Sequence, residues 1–289
     1  MNFLPSTLRK LPSVIVSFLI CASALRAEIP DNFKTENLLA WCIAHRWDSE
    51  KRNPDARADL LHELDLNRFV YNWTKKDNPQ FEAEIIAAQK HGLDYYAFWN
   101  EDEDAFALFE KYGMTPQIWK TCPSPEADTE AKRIAITVKR MAPFAQRAQK
   151  LGSKFGLYNH RGWGGHPEIL VKVCLELREL GYDNVGIVYN FHHSHQEMQK
   201  FAEYLAHMQP YLLCINLNGM ADKEAVDYQT KDNMILPIGT GNHEATMIKT
   251  IIASGYAGPI GILGHTEEPD VALSLRNNIA GLAKILESL

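Results

Sequence analysis

Basic residues are in the minority in this chain: 30 Lys and Arg stand against 36 Asp and Glu, a formal net charge of −6. That balance speaks against nucleic acid or an anionic membrane surface as a partner, since either calls for a basic patch. Cysteine is scarce, with 5 in 289 residues and no CxxC pair, which excludes a disulfide-dense scaffold and a zinc ribbon. Past Leu25 no apolar run approaches the roughly 20 residues that cross a bilayer. No low-complexity segment and no Pro/Gly/Ser-rich linker divides residues 28–289, so one domain is expected there. The first apolar run of that domain ends in WCIAHRW, without glycine. An open doubly wound sheet normally carries a Gly-rich phosphate loop at that point.

What is present begins with a leader. Arg9 and Lys10 precede an apolar run, Leu11–Leu25, and the small residues Ala22, Ala24 and Ala27 follow. Basic, apolar, then small is the order of a secretory signal peptide, predicted over residues 1–27. An uncleaved anchor is the alternative. The mature chain, 28–289, is expected in the periplasm or outside the cell, with no membrane contact after cleavage. It keeps Cys42, Cys122, Cys174 and Cys214, far apart in sequence and mostly inside apolar patterns, where buried free thiols are expected.

Eight short apolar runs mark the mature chain: Leu38–Ala44, Arg68–Trp73, Leu93–Trp99, Thr115–Thr121, Lys154–His160, Asn184–His192, Leu212–Asn218 and Gly258–His265. Between them lie stretches of helical periodicity: Asp48–Leu64, Pro79–His91, Glu126–Leu151, Pro167–Leu180, Gln196–Met208, Glu244–Ser254 and Asp270–Leu286. Gly92, Gly113, Gly152, Gly181 and Gly255 sit where a helix must stop and turn into the next strand. Near-continuous apolar strands alternating with helices imply a parallel sheet covered by helices. Eight such units in about 260 residues match a single (β/α)8 TIM barrel of the α/β class.

In that architecture the active site lies at the C-terminal ends of the strands. Of the 11 histidines, six fall there: His45, His160, His192, His193, His195 and His265. Trp73, Trp99 and Trp119 do too, with Asn159, Asn190, Asn216 and Asn218. Aromatic faces stack on sugar rings, and fixed amide and imidazole groups read hydroxyls. A small-molecule sugar is therefore the expected partner. Tryptophan and the four asparagines are the candidate binding groups. His160, His193, His265 and Glu267 are the candidate catalytic groups, since imidazole transfers protons near neutral pH.

The segments LYNHRGWGGHPE, NVGIVYNFHHSH, LLCINLNGM, LPIGTGNHE and GPIGILGHTEEPD occur in this order. With them the chain from Glu36 to Leu289 resembles the sugar phosphate isomerase/epimerase group of xylose-isomerase-like barrels, in a branch common among exported proteins of planctomycete-type bacteria. The resemblance implies a divalent metal, often Mn2+, held by Glu, Asp, His and Glu at the ends of strands five to eight. This chain departs at all four positions, with Tyr158, Asn190, Asn216 and the Gly264-His265 strand end. Hard cations want carboxylate oxygens, which the replacements lack. His160, His193 and His265 offer a softer set for Zn2+ as one alternative. The resemblance and the histidines together imply an exported isomerase or epimerase acting on a non-phosphorylated sugar or keto-sugar by proton abstraction beside a carbonyl. A catalytically silent carbohydrate-binding barrel and a metal-dependent hydrolase or lyase are the alternatives.

Overall fold

The computed structural model describes Met1 and residues 29–72, 80–266 and 269–289. The leader expected over residues 1–27, Trp73 and Glu267 lie outside the described residues. Eight strands close into a parallel barrel in chain order: β1 (Leu39–Trp41), β2 (Arg68–Asn72), β3 (Asp94–Trp99), β4 (Gln117–Thr121), β5 (Phe155–Tyr158), β6 (Val185–Asn190), β7 (Leu212–Leu217) and β8 (Ile260–Leu263). Closure is made by Leu39, which pairs with Arg68 on one side and Gly261 on the other. The surrounding helices are α1 (Pro54–Glu63), α2 (Phe81–His91), α3 (Glu103–Tyr112), α4 (Glu130–Leu151), the single turn α5 (Gly162–Gly165), α6 (Pro167–Glu179), α7 (Phe201–Met208), α8 (Glu244–Ala253) and α9 (Val271–Glu287). Among the described residues no helix is long and apolar enough to cross a membrane.

Local chemistry sets the helix ends. Asn53 accepts from the Ala56 amide with Pro54 in the first turn, and Thr129 accepts from the Lys132 amide. Gly92, Gly113 and Gly152 end α2, α3 and α4 with φ of 66°, 63° and 82°. A side chain is strained at such angles. The sequence reading assigned no range to α3. Asp102 starts that helix by accepting from the amides of Asp104 and Ala105, while Phe106 and Phe109 are buried.

The strands end earlier than their apolar runs. Leu38–Ala44 yields a strand of only three residues, because Cys42 takes φ = 57° and leaves the ladder. Lys154–His160 stops at Tyr158, where the His160 amide turns back on the Tyr158 carbonyl at 3.0 Å. Hydrophobicity continues past these points while the backbone has already turned toward the pocket.

The barrel interior is filled, as close packing requires. Leu39, Trp41, Val70, Ala97, Trp119, Tyr158, Val188, Cys214 and Leu263 form its inner cluster. Room for side chains comes from glycines on the neighbouring strands, register partners of the residues they accommodate. A Cβ on Gly156 would lie 2.8 Å from the Trp119 ring. One on Gly261 would lie 1.9 Å from Asn216 Oδ1. The four cysteines are buried and none is in a disulfide.

Candidate active site

Trp41 stands at the end of β1, in the middle of the barrel mouth. Its ring meets Trp119 edge-on at 5.2 Å and Tyr158 at 5.3 Å, with Trp99 5.9 Å away. Trp99 in turn stacks its edge against Tyr158 at 4.3 Å. Trp41, Trp99 and Tyr158 make an apolar floor. Above it opens a cavity of about 340 Å³ lined by Trp41, Trp99, Tyr158, His160, His192, His193 and His265, with Arg46, Arg161 and Lys231 at its mouth. A recess of about 470 Å³ adjoins it through Arg46, Trp47, Lys231, Met234 and His265. A hollow of about 500 Å³ lies at the opposite end of the barrel, near Asp94, Gln117 and Lys154. The strand C-terminal ends remain the place for chemistry in this architecture.

The imidazoles arrive by backbone irregularity. Arg161 has φ = 59° and ψ = −179°, and Gly162 follows with φ = 67°. That turn carries His160 and Arg161 off β5 to the rim. The end of β6 winds directly into a tight turn, Phe191–His193, which places two histidines side by side. Left-handed φ at Cys42, Asn100 and Arg161 falls at three strand ends of this one face. Such conformations persist where surrounding structure holds them, and they cluster at functional sites.

Ring centroids of His160 and His193 are 4.3 Å apart, and those of His192 and His193 are 3.8 Å apart. His265 stacks on Trp47 at 4.1 Å and faces His192 at 6.2 Å. Burial holds His192 and His193 well below the ordinary imidazole value of 6.5, and neighbouring imidazoles add to the effect. Burial, then Arg46 and Lys231, push His265 down to about 3. His160 is the most exposed of the four; burial and Arg161 lower it less strongly. All four rings are thus neutral at pH 7, each with one donor and one acceptor nitrogen. Nδ1 of His192, His193 and His265 finds no hydrogen-bond partner among the described residues, nor does the indole N–H of Trp41 or Trp47.

No protein-family profile matches the chain, and no curated protein does. Solved structures match over most of their length. The 3-keto-D-glucoside 4-epimerase of E. coli is 15% identical, covering 81% of this chain and 95% of that one, with a TM-score of 0.59. A xylose isomerase domain protein from Planctomyces limnophilus is 11% identical over 86% and 95%, TM-score 0.62. The IolI protein, with a bound zinc atom, is 12% identical over 87% and 98%, TM-score 0.66. The chain has the xylose-isomerase-like barrel fold. At these identities the likeness speaks for the fold alone.

The metal implied by the xylose-isomerase-like resemblance can be tested on the residues at those four strand ends. Asn190 Nδ2 donates to the Tyr158 hydroxyl at 2.5 Å, and Asn216 Oδ1 faces the Cys214 thiol at 3.6 Å. These groups are neutral and buried, and Asn190 Oδ1 and Asn216 Nδ2 have no partner among the described residues. Among the described residues no three His, Cys, Asp or Glu side chains gather in a way that would hold a metal ion. His160 and His193 are close, but His265 lies on the far side of His192. The residues present do not fit the metal.

Of the residues singled out from sequence, His160, His193, His265 and Trp99 line the cavity together. Asn159 is spent on splicing β5 to β6. Its amide donates to the Asn190 carbonyl and the Ser194 hydroxyl, and its Oδ1 accepts from the Asn190 amide. Trp119 lies below the floor, fully buried, donating to Gln117 Oε1 at 2.8 Å. Asn190 and Asn216 are register partners, fully buried beneath the cavity. Asn218 is buried and donates to the neighbouring Gly219 carbonyl at 2.7 Å. The cavity adds Trp41, Arg46, Trp47, Tyr158, Arg161, His192, Lys231 and Met234. Arg46 and Trp47 follow the first strand in the WCIAHRW run, so a wider window at that strand end finds them. Lys231 and Met234 come from the long β7–α8 connection and carry no strand-end signal.

Proposed function

We propose that this cavity binds a non-phosphorylated sugar or keto-sugar and moves a proton on a carbon beside its carbonyl, as an isomerase or epimerase does. The observation that carries the reading is the pair of neutral imidazoles, His160 and His193, set 4.3 Å apart over an aromatic floor. A ring stacks on Trp41 and Trp99, and His160, the accessible imidazole, takes the carbon-bound proton. The negative charge that develops on the carbonyl oxygen is met by the N–H donor of His193, already fixed in place. Return of the proton to the other face, or to the neighbouring carbon, completes an epimerisation or isomerisation. Support also comes from the fold neighbours, a 3-keto-D-glucoside 4-epimerase and a D-psicose 3-epimerase. The Gly239–Glu244 loop supports a substrate without phosphate. Its amides at Gly239 and Gly241 donate to Glu244 Oε1 at 2.9 Å each, so the loop is organised around its own carboxylate. Export to the periplasm or beyond, expected from residues 1–27, belongs to the same proposal.

The test is solvent exchange. D-fructose and a 3-keto-glucoside are incubated with the protein in D2O and followed by proton NMR. Deuterium should enter beside the carbonyl, and His160→Gln should slow entry by roughly 100-fold or more, the usual share of a general base. Exchange unchanged in that variant sinks the assignment. A second reading, a carbohydrate-binding barrel without turnover, is favoured by one observation: among the described residues no Asp or Glu lines the cavity. It predicts sugar binding with no deuterium entry.

A further inference from the structure

We infer that the mouth of this cavity is an anion subsite, so that the sugar it takes carries a carboxylate or a sulfate ester. The inference rests on the reading of the cavity as a sugar site and names the class of sugar. Three cations from three separate segments meet there: Arg46 from the β1–α1 connection, Arg161 from the end of β5, and Lys231 from the β7–α8 connection. None of them has an ion-pair partner among the described residues. Other cations near the same strand ends are paired, Lys120 with Glu101 and Arg52 with Asp48 and Asp270. Both guanidinium groups are held by aromatic faces, Arg46 over Trp47 at 4.4 Å and Arg161 over Tyr228 at 4.9 Å. Stacking fixes a guanidinium while leaving its N–H edge available for a planar anion.

The lining beneath also holds polar atoms without partners. Among the described residues no carboxylate lines the cavity, and Asp232 lines only the adjoining recess. The Trp41 indole N–H and the Nδ1 atoms of His192 and His193, on side chains no more than 7% exposed, have no partner among the described residues. A neutral sugar would cover three cations without neutralising them. An anionic one supplies the missing charge and acceptors. A phosphate would want backbone amides, and those of the Gly239–Glu244 loop already point at Glu244. A carboxylate or sulfate needs only the guanidinium forks and the ammonium group.

Binding is read by titration calorimetry on the full chain with D-glucuronate, D-glucose 6-sulfate and D-glucose. At least one acidic probe should bind about 10-fold or more tightly than glucose, and its affinity should fall as salt rises. The better probe tells carboxylate from sulfate. Arg46→Gln, Arg161→Gln and Lys231→Gln should each weaken that probe by roughly 3- to 10-fold, a larger loss than for glucose. Arg46→Lys should recover part of the loss. Thermal melting of each variant checks that the fold is intact. Equal affinity for acidic and neutral probes, no binding of either acidic probe, or a triple Gln variant that keeps the preference each overturns the inference. Because the readout is binding, it separates from turnover. Acidic preference without deuterium exchange keeps the subsite and removes the catalytic reading, and exchange without preference does the reverse.

Discussion

His160 sits where one residue decides the chemistry. Its imidazole is held below 6.5 by burial and by Arg161 beside it, so it is a free base at pH 7. Deuterium exchange should therefore be flat through neutrality and fall as pH drops below that ordinary value. Arg161→Gln removes one cause of the depression and should move the acid limb to higher pH, which a pH–rate profile shows directly. A limb at the same pH in both proteins would mean that Arg161 does not act on His160. The residue types at this site were legible before the fold: histidine, tryptophan and asparagine crowd the strand ends. Which of them face the cavity was not. Asn159, Asn190, Asn216 and Asn218 look alike in sequence, yet all four are buried in bonds or layers beneath it. Trp41 and Trp119 differ by one layer of the barrel, and no local pattern reports which layer a strand residue occupies.

Among the elements, α9 is the clearest case of a helix fixed by its contacts. Asn278 donates to the Leu263 carbonyl at 2.8 Å and accepts from the Ile238 amide at 2.8 Å, tying α9 to β8 and to the loop before α8. Removing it as Asn278→Ala leaves two buried backbone groups unpaired and should cost about 2–4 kcal/mol. Gly281 lies one turn on. In an ordinary helix its replacement by Ala would gain up to ~1 kcal/mol. Here a Cβ would stand 1.7 Å from the Ile238 carbonyl oxygen. Gly281→Ala should therefore destabilise, by about 1–3 kcal/mol, as overpacked sites do. Urea denaturation measures both, and a stabilised Gly281→Ala would show that α9 can shift away at little cost. The periodicity of α9 was plain in the sequence. The need for glycine in its middle was not, since nothing nearby in the chain approaches it.

Across the whole molecule the buried imidazoles set acid stability. His192, His193, His195 and His265 are depressed in the fold, His195 to about 4 and His265 to about 3. Below pH 6.5 the unfolded chain binds protons on these rings and the folded chain does not, so stability falls as pH falls. Each ring contributes up to about 1.4 kcal/mol per pH unit until its folded value is reached. A domain with roughly 5–15 kcal/mol in hand should then lose a large part of it between pH 6.5 and pH 4. Circular dichroism against pH checks this, and His265→Gln should move the midpoint to lower pH. Constant stability between pH 7 and 4.5 would show that the rings are not held neutral. Sequence by itself determined the barrel: eight apolar runs, the helices between them and the glycine stops are local properties, set by backbone sterics and by which side chains avoid water. The order of the strands and the face that carries the site follow from them. The tertiary structure alone decided the site's membership and charge. Arg46, Arg161 and Lys231 lie far apart in the chain and meet only when the barrel closes, and a field made by three distant cations has no signature in any one segment.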